Sequence, residues 1–99
     1  MKLPDDPFIL ELLPEFLDDW LDKLENEYPK LYSINDSESL YRMAHTIKGS
    51  SYQFGFQELG DLGIEMMNQI ENKDWLGLEQ NKDLFRNKLL EIKNYISSK

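Results

Sequence analysis

The sequence of 99 residues contains no cysteine and only one histidine. Without cysteine the chain forms no disulfide bond, carries no thiolate nucleophile and builds no zinc–thiolate cluster. One histidine among scattered carboxylates has no spacing typical of a metal site, so we expect no metal and no cofactor of the protein's own. The net charge of −8 argues against binding to nucleic acid or to an anionic membrane surface, because both need cationic side chains.

Long apolar runs are also missing from the sequence. No stretch approaches the roughly 20 apolar residues of a membrane span, and the N-terminus has no secretion signal. We therefore expect a cytoplasmic protein that does not associate with membranes. The length and the 40% hydrophobic content are sufficient for one core, which predicts a single domain over residues 1–99 and a monomer.

Apolar residues recur with helical spacing in four segments, and no strand-like alternation is visible. The pattern predicts an all-α fold, an antiparallel up-down-up-down four-helix bundle with a short N-terminal helical lead-in. The lead-in is expected because Pro14 lies inside the first apolar pattern, so the long first helix should begin at about Pro14. Pro29 should either end that helix at Tyr28 or kink it.

The sequence also indicates boundaries for the other three helices. Asp36 is suited to cap the second helix, which should stop near Phe54 with Gly55 beyond it. The third helix is expected at about residues 56–72. Asp74 is the expected cap of the fourth.

The stretch that contains the histidine, residues 44–51 (AHTIKGSS), should lie within the second helix. The apolar residues around it share one helix face: Leu40, Met43, Ala44, Ile47 and Phe54. At about 100° per residue, their mean direction lies roughly 150° from His45. The ring is therefore expected to project into solvent. A plainer interpretation is that His45 is an ordinary surface or core residue. The helical phase argues against a position in the core.

The neighbours of the histidine suggest a chemical role for it. A glycine inside a helix costs roughly 0.5–1 kcal/mol relative to alanine, yet Gly49 lies one turn beyond His45 and leaves bare backbone beside the ring. Lys48 can bring its ammonium group near the imidazole. A neutral imidazole is a competent nucleophile, and a nearby cation would offset negative charge on a transferred group. These features predict a histidine that accepts a phosphoryl group.

The sequence HTIKGSS at residues 45–51, followed by Phe54-Gly55 and Leu59, resembles the signature of histidine-containing phosphotransfer (HPt) domains. The resemblance implies a four-helix bundle whose exposed histidine carries a phosphoryl group between aspartates of receiver domains. It makes His45 the acceptor through its Nε2 atom, with Lys48 stabilising charge and Gly49 allowing access. The implied partners are response-regulator receiver domains or a hybrid histidine kinase. The partner receiver would supply Mg²⁺ and most of the catalysis, so the protein would be a phosphocarrier and not an enzyme.

Helix phase also predicts a docking surface around the histidine. Its candidate residues are Tyr41, Arg42, Gly49, Tyr52, Gly60 and Ile64. The last two are included because they lie off the apolar stripe of the third helix. By contrast, Gly63 lies on that stripe, which predicts close packing against the second helix.

One position departs from the family pattern. Members often place a glutamine or glutamate on the third helix, where it hydrogen-bonds the histidine ring, and counting along the motif puts Met67 there. A thioether is a poor hydrogen-bond acceptor. Asn68, or else Glu65, could orient the ring instead after a modest rotation of the helix.

Two other interpretations remain open at this stage. The chain could be a phosphate-independent helical adaptor that binds a signalling partner, although His45, Lys48 and Gly49 together argue against this. It could also be a phosphotransfer domain cut from a larger kinase. The initial Met1 and the helix-bounded ends favour a free-standing module instead.

Overall fold

A computed structural model describes residues 3–98, and these residues fold into helices connected by short turns. The helices are α1 (Pro7–Asp22), α2 (Tyr28–Ser33), α3 (Ser37–Gln53), α4 (Gln57–Glu71) and α5 (Trp75–Ser97), with a π-helical turn at Lys23–Glu27. The first rod of the bundle combines α1 with the π-helical turn and the short helix α2. The remaining three rods are single helices. The predicted all-α four-helix bundle is confirmed.

Side chains from α1 and α2 meet α5 in reverse order along the chain, as an antiparallel bundle requires. Trp20 packs edge-to-face on Phe85, with ring centroids 6.1 Å apart. Tyr32, further along, packs edge-to-face on Trp75, which comes earlier in α5. The hydrogen-bonded pairs between α4 and α5 show the same reversal: Lys88 with Glu58, and Asn81 with Glu65.

The first helix begins as predicted but does not break at its internal proline. Asp6 caps it by accepting a hydrogen bond from the Phe8 N–H at 2.9 Å. The helix then continues through Pro14, so the separate lead-in before this residue was a wrong prediction. Proline removes one helical hydrogen bond, but Leu13 and Leu17 on either side are completely buried in the core. Their packing holds the helix together across the proline.

The first rod does not end at Pro29, and the turn before this proline remains hydrogen-bonded. The preceding turn is π-helical, and the Tyr28 N–H donates to the carbonyl of Lys23, five residues back. A proline ring clashes with the carbonyl four residues before it in an α-helix, and the wider turn gives that ring room. The chain therefore remains helical to Ser33.

The predicted caps of the later helices are present. Asp36 accepts a hydrogen bond from the Ser39 N–H at 3.1 Å, and Asp74 accepts one from the Gly77 N–H at 3.0 Å. Gly55 follows α3 with φ +83°, a conformation that glycine adopts without strain. These local signals set the start and the end of α3 and the start of α5.

The core consists of the apolar stripes that helical spacing predicted. It is built from aliphatic and aromatic side chains of all four rods, among them Leu17, Trp20, Ala44, Ile47, Leu59, Met66, Leu78, Phe85 and Leu89. Among residues 3–98, none of the helices has both the length and the apolar character of a membrane span.

Candidate functional site

His45 lies on the solvent side of α3, as predicted. Its neighbours Met43, Ala44 and Ile47 are at most 8% exposed and hold the opposite face of the helix in the core. No hydrogen bond joins the imidazole to another residue in the described part of the chain. Both ring nitrogens are therefore free to meet a visiting group.

Gly49 provides the open approach that the sequence predicted. It is exposed on α3, and a Cβ atom built at this position would have no other atom within 4 Å. On the Gly49 side, the space beside the imidazole is therefore bounded only by the helix backbone. A partner surface can come close to His45 here.

The backbone of Lys48 packs against α4, and its ammonium group has no ionic partner among the described residues. A Cβ atom added to Gly63 on α4 would lie 2.7 Å from the Lys48 backbone nitrogen, so the two helices touch at this point. This confirms the close packing predicted for Gly63. The Lys48 side chain is half-buried and forms no ion pair with any described carboxylate. Its ammonium group is available three residues from the histidine.

Contacts between α3 and α4 establish which residue faces His45. Tyr52 lies over Gly60, and Lys48 touches Gly63. At the other end of the pair, Tyr41 interacts with Glu71. Each step backward along α3 is thus matched by a step forward along α4, which places Met67 level with His45.

Met67 is half-buried and packs against the core, so the position opposite the imidazole is apolar. Asn68 is exposed, but it makes no hydrogen bond to His45 among the described residues. Glu65 accepts a hydrogen bond from Asn81 of α5 at 3.2 Å, which directs it away from α3. The ring therefore has no polar partner from α4.

On the N-terminal side of the histidine, Tyr41 and Arg42 each interact with an acidic side chain. The Glu71 carboxylate, through a hydrogen bond with the hydroxyl, raises the pKa of Tyr41 above its ordinary value. Arg42 is exposed and pairs with Glu38 at 3.7 Å, a solvent-screened contact of small energy. The Arg42 guanidinium can therefore turn toward an incoming anion at little cost.

One predicted surface residue is placed differently from expectation. Gly60 is buried, because the ring of Tyr52 covers it. It does not present open backbone to a partner, and its prediction as a docking residue is wrong in that respect. Ile64, one turn further along α4, is 40% exposed, as helix phase predicted.

The sequence interpretation missed Asp61, which contacts the predicted docking residue Tyr52. Its Oδ1 atom accepts a hydrogen bond from the Tyr52 hydroxyl at 2.6 Å, and this bond raises the pKa of Tyr52. The contact joins two helices, so no pattern within one helix could reveal it. The only available signal was an acidic residue next to a glycine on the predicted docking face.

The arrangement as a whole is an exposed imidazole on α3, with Arg42 three residues before it and Lys48 three residues after it. The described residues bring no three histidine, cysteine, aspartate or glutamate side chains together as a metal site would require. A family model, that of the Hpt domain, matches residues 9–97, nearly the whole chain. Comparisons with curated proteins and with solved structures find no match.

Proposed function

Because this chain belongs to the Hpt domain family, we propose that His45 carries a phosphoryl group between receiver-domain aspartates in a phosphorelay. Histidine phosphotransfer is the role of the family. The assignment of that role to His45 is supported by one observation above all: the only histidine is exposed beside an open glycine and near Lys48, which pairs with no carboxylate among the described residues.

The transfer step needs positioning and charge neutralisation more than acid–base chemistry, because phosphoryl transfer passes through a loose transition state. The His45 Nε2 atom attacks the phosphorus of an aspartyl phosphate. The Nε2–P bond forms while the P–O bond to the aspartate breaks, and the aspartate leaves as a carboxylate. The Lys48 ammonium offsets the negative charge of the phosphoryl oxygens during this exchange.

The remaining catalytic groups belong to the partner under this proposal. The receiver domain, alone or within a hybrid histidine kinase, supplies Mg²⁺ and the acidic pocket that holds it. The bundle contributes the nucleophile, one cation and a docking surface formed by Tyr41, Arg42, Gly49, Tyr52 and Ile64. The protein thus acts as a carrier and not as an enzyme, and we place the exchange in the cytoplasm with the protein as a monomer.

The proposal is tested by mixing the protein with phosphorylated receiver domains in the presence of Mg²⁺. Wild-type protein should acquire phosphate that is labile in acid and stable in alkali, as expected for phosphohistidine. His45→Gln should acquire none, because no other side chain of the chain is an imidazole. Circular dichroism should show that this variant keeps the helical fold, since position 45 is exposed. Binding to a receiver without any label would favour the phosphate-independent adaptor instead.

A glutamine in place of Met67 should speed the transfer. Its carboxamide oxygen would stand level with His45 and accept a hydrogen bond from the imidazole, whereas the thioether accepts poorly. The attacking ring gains positive charge, so this hydrogen bond is stronger in the transition state than in the free ring. A net hydrogen bond is worth about 0.5–1.5 kcal/mol, so Met67→Gln should raise the transfer rate by up to roughly tenfold. The rate is measured by rapid quench against a phosphorylated receiver, with Met67→Leu as the matched apolar control. A rate equal to that of Met67→Leu would show that the ring needs no such partner.

A further inference from the structure

Tyr52 is held against α4 by a backbone contact and a hydrogen bond. A Cβ atom built at Gly60 would overlap two atoms of the Tyr52 ring and lie 2.6 Å from its Cζ. The hydroxyl donates to Asp61 Oδ1, which also accepts a bond from Gln57 Nε2 at 3.4 Å. The backbone of Gly60 and the carboxylate of Asp61 thus hold the Tyr52 ring in place, and we call these two groups the seat of the ring.

The position of this ring decides how open the histidine is. Tyr52 lies three residues beyond Gly49, and residues with this spacing are neighbours on a helix surface. Helical side chains lean toward the N-terminus, so an unrestrained Tyr52 ring would cover the Gly49 backbone. Instead, no atom of the ring lies within 4 Å of the Cβ position at Gly49. The seat on α4 draws the ring aside.

We propose that Gly60 and Asp61 are positioning residues for phosphotransfer, because they seat Tyr52 on α4 and so keep the approach to His45 open. This inference rests on the proposed function of His45. Gly60 is buried under the Tyr52 ring and does not present its backbone to a partner. It acts through Tyr52, whose ring is presented to the receiver in one fixed place.

The seat can be tested without any phosphotransfer. An aromatic ring over a glycine shifts the Hα resonances of that glycine upfield. The Hα signals of Gly60 should therefore lie upfield in wild-type protein and move downfield in Tyr52→Leu. The Gly49 signals, which have no ring above them, serve as the internal reference. If the Gly60 signals do not change in Tyr52→Leu, the ring does not occupy the seat and the inference is overturned.

The effect on transfer is tested with Gly60→Ala. The added methyl group meets a ring that can swing away, and alanine favours the helix, so the variant should remain folded. Transfer from a phosphorylated receiver should slow roughly tenfold, because the displaced ring misplaces the docking partner. Labelling of His45 by phosphoramidate should keep its wild-type rate, since so small a donor needs no docking surface.

Two further comparisons isolate the role of the ring. Tyr52→Leu should itself slow transfer, because Tyr52 is part of the docking surface. Adding Gly60→Ala to Tyr52→Leu should slow transfer no further. Asp61→Ala should slow transfer, whereas Asp61→Asn keeps an acceptor for the Tyr52 hydroxyl and should restore most of the rate.

The outcomes separate this inference from the proposed function. Normal transfer by Gly60→Ala, or a further tenfold loss in the Tyr52→Leu background, would overturn only the positioning role. If wild-type protein accepted phosphate from no receiver, the proposed function would fail and the inference with it.

Discussion

Gly49→Gln is expected to lower the rate of phosphoryl transfer from a receiver by at least about a hundredfold. The glutamine side chain would fill the space beside the imidazole, where even a Cβ atom now has no neighbour within 4 Å. The receiver could then no longer bring its aspartyl phosphate to the Nε2 atom of His45. The loss should appear in rapid-quench measurements of single-turnover transfer.

The size of the side chain at position 49 provides the control. Gly49→Ala adds one methyl group into open space, so it should transfer far faster than the glutamine variant. Both substitutions should leave the bundle folded or slightly stabilised, because a helical glycine costs roughly 0.5–1 kcal/mol relative to alanine. Thermal unfolding followed by circular dichroism checks this. Transfer by Gly49→Gln at the wild-type rate would show that access at this position is irrelevant.

Gly63→Ala is expected to destabilise the bundle by about 1–3 kcal/mol through overpacking, less the helix-propensity gain of roughly 0.5–1 kcal/mol. The added Cβ atom would lie 2.7 Å from the backbone nitrogen of Lys48 and 2.9 Å from its Cα. Backbone in the middle of a helix cannot move aside as a side chain can, so α3 and α4 must separate. Urea unfolding monitored by circular dichroism measures the loss.

Gly60→Ala is the matched control for this stability prediction. The substitution is the same and lies one turn earlier in the same helix, but the atoms it meets belong to the movable Tyr52 ring. Its free energy of unfolding should stay near the wild-type value or exceed it. Equal destabilisation by the two alanines would contradict the assignment of Gly63 as the point where the helix backbones touch.

The exposure of His45 could be predicted because helix phase is a local property. The apolar residues on either side of the histidine define the buried face of α3, and the structure buries Ala44 and Ile47 completely. The caps at Asp36 and Asp74 were predictable for the same reason, since each acts within three residues of its own position. Such features need no knowledge of the rest of the fold.

The errors concern contacts between elements. The sequence shows that Pro14 lacks an N–H group, but not that the core packing of Leu13 and Leu17 holds the helix across it. It places Gly60 off the apolar stripe, but not under a ring from α3. The residue level with His45 could be counted from the motif as Met67, and three contacts between α3 and α4 support the same register.

The central claim is that the single imidazole receives the phosphate through its Nε2 atom. Long-range ¹H–¹⁵N NMR of the protein, recorded before and after exposure to a phosphorylated receiver and Mg²⁺, tests it directly, because the chain contains only one histidine ring. We expect one set of imidazole signals to be replaced by another in which Nε2 bears phosphorus and Nδ1 does not. Unchanged ring signals in protein that has taken up phosphate, or a phosphate on Nδ1, would contradict the claim.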